Sequence, residues 1–299
     1  MKKGKILFVD TTHKELVLRL ENQGYKCDYF EGYQRTDYLK IANNYIGIII
    51  RSKIKLDSDF LSKCSNLKFI GRVGAGMENI DSEFAEKKGI VCINAPEGNR
   101  DAVGEQAMAM LLSLFNNLII ADSEVRKGIW IREGNRGVEL GGKTVGIIGY
   151  GNTGQAFAQK LSGFGVKVLA YDKYKINYTD EFATESSMNE LFNSSDIVSF
   201  HVPLNDETEY IMNNSFIDSF KKKVYVVNTS RGKVVKTSDL IANLQSGKVL
   251  GACLDVLEYE GLSFEDVNLP DDFNTLVSMK NVVLSPHIAG WTHESNYKM

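Results

Sequence analysis

The chain has 299 residues, 43% of them hydrophobic, and its 35 Lys and Arg against 38 Asp and Glu leave a net charge of −3. This length allows two compact domains, and the balanced charge argues against nucleic acid or an anionic membrane surface as a partner. No apolar run reaches the roughly 20 residues of a membrane span, so we expect a cytoplasmic protein.

The four cysteines are scattered along the chain and form no C-x-x-C pair. Each lies in or beside an apolar run, which favours buried free thiols over disulfides or a zinc site. We therefore expect no metal centre. The residues concerned are Cys27, Cys64, Cys92 and Cys253.

Predicted strands and helices alternate through the first third of the chain. This alternation is typical of a parallel, doubly wound sheet, so we predict one α/β domain here. The predicted strands are 5–9, 45–50, 67–72 and 90–93, and the predicted helices are 13–22, 57–63 and 81–88.

A different pattern follows, in which residues from Asp101 to about Lys127 are apolar at helical spacing. This stretch is too long for a crossover helix inside the first domain, so we predict one helix that bridges two domains. Its apolar character fits either core packing or a subunit interface.

The second half of the chain returns to alternating strands and helices, which predicts a second parallel sheet. Ligands of such sheets bind beyond the carboxyl ends of the strands, so the residues that follow each strand carry most of the functional information. The predicted strands are 144–148, 167–171, 197–200, 224–228, 250–254 and 282–285, with a looser segment at 258–281.

A G-x-G-x-x-G motif directly follows the predicted strand 144–148 and opens a predicted helix, 155–161. Gly149 allows a tight turn, Gly151 allows close approach of a pyrophosphate, and Gly154 allows the helix to pack on the strand. Asp172 ends the next strand, where a carboxylate accepts hydrogen bonds from an adenosine ribose. The pattern predicts a dinucleotide site and favours NAD over NADP, because Asp172 would repel a 2′-phosphate.

Charged side chains follow the later strands, on the edge of the sheet where we expect the nucleotide. Arg231 follows strand 224–228, Glu258 and Glu260 follow strand 250–254, and His287 follows the last strand. Hydride chemistry on a 2-hydroxy or 2-oxo acid needs such a set. A guanidinium binds the substrate carboxylate, a histidine moves the hydroxyl proton, and a carboxylate orients the histidine.

Six motifs, taken together and in order, resemble those of the D-isomer-specific 2-hydroxyacid dehydrogenases over nearly the whole chain. The resemblance implies a flavodoxin-like substrate domain formed by 1–97 and 288–299, a Rossmann NAD-binding domain formed by 98–287, and a cleft between them. The motifs are VGAGMENID at 73–81, NAPEGN at 94–99, the glycine motif at 149–154, NTSRG at 228–232, LDV at 254–256 and SPHIAG at 285–290.

The resemblance also implies roles for single residues. Arg231 would bind the substrate carboxylate, His287 would be the general acid/base and Glu260 its acidic partner. Backbone N–H groups of Val73, Gly74 and Ala75 would face the substrate carboxylate. Besides the three glycines of the motif and Asp172, the residues implied to bind the cofactor are Asn152, Thr153, Val202, Pro203, Thr229, Asp255 and Gly290.

Two departures from the family pattern affect these expectations. Gly261 stands where many members have a proline after the catalytic glutamate, so Glu258 competes with Glu260 for that role; the spacing from Asp255 favours Glu260. The chain also stops at Met299, where the family usually continues its last helix, so we expect a truncated carboxyl end.

The substrate is less determined than the cofactor. The segments around Arg51 and Arg72 resemble the phosphoglycerate dehydrogenase branch most closely, and both side chains lie at predicted strand ends, where they would meet a phosphate. The alternatives are a solvated Arg51 and an Arg72 that forms an internal ion pair. Trp291 would instead wall off a small or apolar group, which leaves lactate-like acids, glyoxylate and hydroxypyruvate open.

The leading hypothesis is therefore an NAD-dependent dehydrogenase or reductase of D-2-hydroxy acids that forms a homodimer, with 3-phosphoglycerate as one candidate substrate. The alternative is an NAD(H)-sensing binding protein of the same fold, similar to a corepressor, without significant turnover. Formate-type dehydrogenation is disfavoured, because that chemistry replaces the carboxylate paired with the histidine and Glu260 is present.

Overall fold

The computed structural model describes residues 3–261 and 269–299, which form two compact α/β units. The first comprises residues 3–99 with Gly261 and 291–299, and the second comprises 100–260 with 269–290. The first unit contains a five-stranded sheet and the second a seven-stranded sheet, and the strands of each run parallel. The prediction of two parallel-sheet α/β domains is confirmed, whereas the cleft and the functional boundaries stay predictions.

The sheet of the first unit has the strand order β2-β1-β3-β4-β5. Its short helices begin where the sequence supplies caps, since the side chains of Asp57 and Asp81 accept backbone N–H groups at the starts of two helices. The strands are β1 Gly4–Phe8, β2 Tyr25–Tyr29, β3 Gly47–Ile50, β4 Phe69–Arg72 and β5 Val91–Asn94. The helices are α1 Lys14–Asn22, α2 Arg35–Ile41, α3 Ser58–Ser62, α4 Ser82–Lys87 and α12 His293–Lys298.

Strand β2 and helix α2 were not predicted. Strand β2 lies at the edge of its sheet, and the charged residues Lys26 and Asp28 interrupt its apolar pattern. An edge strand is not covered on all sides, so it lacks the continuous apolar run by which buried parallel strands are recognised. Only its pairing with β1 defines it as a strand.

The second unit contains the remaining elements, and two hydrophobic clusters pack against its sheet. Val145 and Ile147 belong to one cluster and Ile148 to the other, as the alternation of side chains along a strand requires. The strands are β6 Thr144–Ile148, β7 Lys167–Tyr171, β8 Thr184–Glu185, β9 Ile197–Phe200, β10 Val224–Asn228, β11 Val249–Leu254 and β12 Val282–Leu284. The helices are α5 Arg100–Phe115, α6 Leu118–Arg126, α7 Asn152–Leu161, α8 Met188–Ser194, α9 Asn214–Asp218, α10 Thr237–Ser246 and α11 Asp271–Ser278.

Strand β6 lies at the point where the order of the second sheet reverses. The order is β12-β11-β10-β9-β6-β7-β8. From β6 the chain adds β7 and β8 on one side, and it then adds β9 to β12 on the other side of β6. In open parallel sheets this reversal creates a crevice at the carboxyl ends of the strands, where nucleotides bind. The glycine motif follows β6 and therefore lies at that point.

The single bridging helix predicted from Asp101 to about Lys127 is wrong, because two helices with a 63° bend between them occupy this stretch. Asn117 takes a left-handed conformation at φ 49°, which Asn tolerates better than most residues and which ends α5. Both helices belong to the second unit. Helix α5 is largely buried against α7, and Gly104 allows the two backbones to approach closely.

Within 3–261 and 269–299 no single helix has the length and apolar character needed to cross a membrane, and only α5 and α6 taken together meet that requirement. The segment predicted to be loose, 258–281, contains helix α11. Its residues 262–268 lie outside the described residues.

Candidate active site

The glycine motif forms the turn from β6 into α7 as its sequence predicts. Gly149 has a left-handed φ of 90°, and a Cβ at this residue would lie 2.4 Å from the carbonyl oxygen of His201. A Cβ at Gly154 would lie 2.1 Å from the carbonyl oxygen of Gly149. By contrast, a Cβ at Gly151 would have no neighbour within 4 Å, so the turn is open on this side.

This open side fits the pyrophosphate of a dinucleotide. Gly151 is the N-cap of α7 and has no side chain to satisfy the N–H groups of the first turn, which begins with Asn152 and Thr153. These amides and the positive end of the helix are suited to bind a phosphate. The hydroxyl of Thr229, which follows β10, is buried and has no hydrogen-bond partner among the described residues. The residues present therefore fit the NAD that the sequence predicts.

Asp172 lies at the end of β7, beside the glycine turn. Its Oδ2 accepts the backbone N–H of Tyr150 at 2.9 Å, and its Oδ1 accepts that of Tyr174 at 3.0 Å. These bonds hold the carboxylate in one orientation, and each oxygen keeps a lone pair for a further donor. The arrangement is compatible with the ribose contact that the sequence predicts.

His201, Val202 and Pro203 follow β9 and abut the glycine turn, since both His201 O and Val202 Cγ1 would contact a Cβ at Gly149. The side chain of His201 is buried, with Nε2 2.8 Å from Ser199 Oγ and the ring packed on Phe157. Burial lowers the pKa of His201 to about 3, so its ring is neutral at physiological pH.

Glu260 and His287 form the closest acid–histidine pair at this edge of the sheet. Glu260 Oε2 lies 2.6 Å from His287 Nδ1, and both side chains are mostly buried. Glu260 Oε1 accepts the backbone N–H of Leu257 at 2.6 Å, so both carboxylate oxygens are engaged. Because Nδ1 faces the carboxylate, Nε2 is the ring nitrogen positioned to exchange a proton with a substrate. The competing residue Glu258 accepts the backbone N–H of Thr237 at 3.3 Å instead.

His287 has a left-handed backbone at φ 54°, and Asp255 holds the loop that contains it. The N–H of His287 donates to the carbonyl oxygen of Asp255 at 2.7 Å. The Asp255 carboxylate accepts the N–H groups of Ile288 at 2.9 Å and Ala289 at 2.8 Å, and it accepts the hydroxyl of Ser285 at 2.5 Å. Burial raises the pKa of Asp255, and these donors oppose that rise. The loop ends at Gly290, directly after Ala289.

Arg231 lies on a turn after β10 that Asn228 shapes. Asn228 Oδ1 accepts the N–H and hydroxyl of Ser230, and Asn228 Nδ2 donates to the carbonyl oxygen of Arg231 at 2.9 Å. A Cβ at Gly232 would lie 1.9 Å from the carbonyl oxygen of Leu257. The arginine turn therefore packs on the same backbone whose N–H binds Glu260, and this places the three predicted catalytic residues at adjoining strand ends of one unit.

Four of the predicted substrate residues of the first unit lie at the end of β4 or directly after it: Arg72, Val73, Gly74 and Ala75. Arg72 Nη1 donates to the carbonyl oxygen of Val73, so the guanidinium folds over Gly74, whose φ is 140°. The N–H of Val73 donates to Ile50 O at 2.9 Å. The expectation that this N–H faces a substrate carboxylate therefore needs correction, and the amides of Gly74 and Ala75 stay as candidates.

Arg51 and Trp291 interact within the first unit, with the guanidinium carbon 4.0 Å from the centroid of the indole ring. The backbone N–H of Arg51 donates to Asp10 Oδ2 at 2.6 Å. The sequence suggests Arg51 and Trp291 as alternatives for substrate recognition, whereas in the structure the guanidinium stacks on the indole ring.

Sequence reasoning missed two structural roles at the site. The first belongs to Asp255, for which the sequence predicts only a cofactor contact but which also fixes residues 287–289. The second is that of Asn228 in shaping the arginine turn. An Asn at the last position of a strand and two residues before a Ser is a signal for such a side-chain turn.

Comparison with known proteins supports the family that the sequence motifs resemble. The family model described as "D-isomer specific 2-hydroxyacid dehydrogenase, NAD binding domain" matches residues 108–289. The chain is 34% identical over 296 residues to D-3-phosphoglycerate dehydrogenase of Archaeoglobus fulgidus, covering 97% of this chain and 54% of that protein. It thus spans about half the length of that relative.

Two further relatives are matched over most of their length. The chain is 36% identical over 269 residues to hydroxypyruvate reductase of Thermotoga maritima, covering 90% of this chain and 86% of that protein. Its fold matches the crystal structure of D-lactate dehydrogenase from Aquifex aeolicus complexed with NAD and lactic acid, with a TM-score of 0.83 and 30% identity over 98% of this chain and 91% of that chain. The chain belongs to the D-isomer-specific 2-hydroxyacid dehydrogenase family and contains its NAD-binding domain.

Proposed function

We propose that the protein is an NAD-dependent oxidoreductase that interconverts a D-2-hydroxy acid and its 2-oxo acid. The observation that supports this most is the Glu260–His287 pair, with 2.6 Å between Oε2 and Nδ1, in the unit that carries the dinucleotide turn. The relatives named as dehydrogenases and reductases support the same activity. They give no support to the alternative of an NAD(H)-sensing binding protein.

Bound NADH supplies the hydride for the reductive direction, and NAD⁺ accepts it in the oxidative one. The first turn of α7 and Thr229 would hold the dinucleotide, and Asp172 would accept hydrogen bonds from its ribose. Arg231 binds the substrate carboxylate in bidentate fashion and orients the carbonyl group. These contacts fix the substrate before any proton moves.

His287 carries the proton in this scheme. During reduction, Nε2–H of the imidazolium donates its proton to the carbonyl oxygen of the 2-oxo acid, which becomes the hydroxyl. During oxidation, neutral Nε2 accepts the hydroxyl proton. Glu260 holds Nδ1–H and stabilises the positively charged ring, so that one tautomer and one orientation serve both directions.

The test is a substrate panel with NADH. We would measure the oxidation of NADH by purified protein with 3-phosphohydroxypyruvate, hydroxypyruvate, glyoxylate and pyruvate. Turnover on at least one of them is expected, and it should be lost in His287→Asn. If the wild-type protein binds NADH but turns over none of the four acids, the proposal is contradicted and the binding-protein alternative gains weight.

The substrate proposed first is the 3-phosphoglycerate/3-phosphohydroxypyruvate pair, which the match to a phosphoglycerate dehydrogenase and the presence of Arg51 and Arg72 support. Arg51→Ala and Arg72→Ala are expected to raise KM for 3-phosphohydroxypyruvate more than for hydroxypyruvate. Arg19→Ala, which removes an exposed arginine paired with Glu15, is the matched control. Equal effects on both substrates would show that the two arginines do not recognise a phosphate.

The proposed assembly is a homodimer, located in the cytoplasm and without a nucleic-acid or membrane partner. Exposed apolar side chains on α6 and in the segment after it support a subunit interface: Leu118, Ile119, Val125, Trp130 and Ile131. Light scattering of the purified protein is expected to give twice the chain mass. The double variant Ile119→Glu/Trp130→Glu is expected to give the mass of one chain. A wild-type monomer would refute this assembly.

A further inference from the structure

Two loops on either side of β6 are joined by side chains that the proposed reaction does not use. One loop follows β7 and contains Lys173 and Tyr174, and the other follows β9 and contains Glu207. Lys173 Nζ lies 2.6 Å from Glu207 Oε1, and the Tyr174 hydroxyl donates to Glu207 Oε2. One carboxylate thus links the two loops with both of its oxygens.

Glu207 is held in place by its own loop. Asn205 Oδ1 accepts the N–H of Glu207 at 3.0 Å and that of Thr208 at 3.1 Å. The Thr208 hydroxyl donates to the carbonyl oxygen of Pro203 at 2.6 Å, which ties the turn to the residues next to the glycine motif. The pKa of Glu207 is lowered, chiefly by the hydrogen bond from Lys173, so the pair is ionised at neutral pH.

The link lies next to Asp172, the carboxylate expected to contact the adenosine ribose. Lys173 directly follows Asp172, and the N–H of Tyr174 donates to Asp172 Oδ1 at 3.0 Å. The second lysine of this loop, Lys175, donates to the carbonyl oxygen of Tyr150 at 2.6 Å. Both lysines that follow Asp172 are therefore engaged by oxygen atoms of the protein.

We propose that Glu207 determines coenzyme selectivity together with Asp172, because it binds Lys173 and Tyr174 and so withholds them from a 2′-phosphate. A ribose phosphorylated at the 2′ position needs a cation or hydrogen-bond donors to offset its charge. With Glu207 in place, that phosphate meets the Asp172 carboxylate while Lys173 is bound elsewhere. Removing the charge of Glu207 releases an ammonium group and a phenol beside this position.

The experiment compares coenzyme binding rather than turnover, so it depends on the NAD site and not on the proposed reaction. Dissociation constants for NADH and NADPH would be measured by fluorescence titration at low ionic strength, and those for 5′-AMP and 2′,5′-ADP by calorimetry. In Glu207→Gln the affinity for NADPH relative to NADH is expected to rise about three- to tenfold. The affinity for 2′,5′-ADP relative to 5′-AMP is expected to rise in parallel.

Two further variants make the result specific. Lys173→Gln in the Glu207→Gln background is expected to abolish the gain, because it removes the released cation. Glu209→Gln is the matched control, since it breaks an exposed pair with Lys233, 3.3 Å apart, only two residues further along the loop, and is expected to leave the ratio unchanged. All four side chains are partly exposed, so the variants are expected to fold like the wild type.

Three outcomes would overturn the proposal. One is an unchanged affinity for NADPH relative to NADH in Glu207→Gln. Another is a gain in this relative affinity that persists when Lys173→Gln is added. The third is an equal rise in Glu209→Gln, which would indicate a general loss of negative charge rather than release of Lys173.

Discussion

The carboxylate of Asp255 accepts the backbone N–H of Ala289 at 2.8 Å, while its other oxygen accepts that of Ile288 at 2.9 Å. The carbonyl oxygen of the same residue accepts the N–H of His287. One buried acid therefore fixes three successive amides, and this supports the left-handed backbone of the histidine.

Asp255→Asn should disturb this loop, because the amide would place an N–H₂ group against an N–H group of the loop. We expect kcat to fall at least about tenfold, since small displacements of a catalytic group are costly. Hydrogen exchange at the amides of Ile288 and Ala289 should become faster. Ser285→Ala is the control, because it removes one hydroxyl and leaves the backbone bonds; an equal loss in both variants would contradict this role.

Replacing His287 tests proton transfer directly. His287→Asn suits the left-handed φ of 54°, which Asn adopts with little strain, so the backbone should be retained. Loss of the acid/base is expected to lower kcat about 100- to 10,000-fold, while the affinity for NADH changes little. Rates and NADH titrations would be measured together; a variant that keeps the wild-type rate would exclude His287 from proton transfer.

The two nearby glutamates give a matched comparison. Glu260→Gln keeps the shape of the side chain but removes the charge that stabilises the imidazolium, and we expect kcat to fall by about 100-fold. Glu258→Gln should have little effect, because Glu258 faces Thr237 rather than His287. Measurements of kcat and its pH profile in the two variants identify which glutamate is the partner of His287. A larger loss of kcat in the Glu258 variant would assign that role to Glu258.

Arg231→Lys tests carboxylate recognition. A lysine keeps the charge but not the planar pair of donors, so substrate binding should weaken although the net charge is the same. We expect kcat/KM to fall by about 100-fold or more, with NADH binding unchanged. Steady-state kinetics on the best substrate of the panel would measure this, and wild-type kcat/KM in the variant would rule out a bidentate contact.

The buried ring of His201 predicts a pH dependence of stability. Its pKa is lowered to about 3 in the folded protein and is about 6.5 in the unfolded chain. Between these values the unfolded state binds the extra proton, so the free energy of unfolding falls as pH decreases from about 6.5 toward 3, by at most about 1.4 kcal/mol per pH unit from this residue.

His201→Gln should remove this contribution while keeping a polar group near Ser199. Urea unfolding of both proteins between about pH 5 and 7 would show how steeply the free energy of unfolding depends on pH in each of them. The wild type is expected to lose stability faster than the variant as pH falls. Identical slopes would show that His201 is not buried as a neutral ring.

Sequence by itself determined the central part of the second unit. Strands 144–148, 167–171, 197–200 and 224–228 were predicted with the bounds that the structure has. Buried parallel strands are continuous apolar runs closed by turn residues, so local composition defines them. The glycine turn is only partly local: a Cβ at Gly154 would meet the carbonyl oxygen of Gly149 within the motif, whereas a Cβ at Gly149 would meet that of His201, which follows β9.

Only the tertiary structure decided the features that depend on distant residues. The edge strand β2 exists through its pairing with β1, and α5 ends where Asn117 turns left-handed. The choice between Glu260 and Glu258 and the position of His287 depend on contacts between strand ends that are about 30 residues apart. Spacing from Asp255 favours Glu260 over Glu258, but the hydrogen bonds that distinguish the two glutamates form only when the sheet brings those loops together.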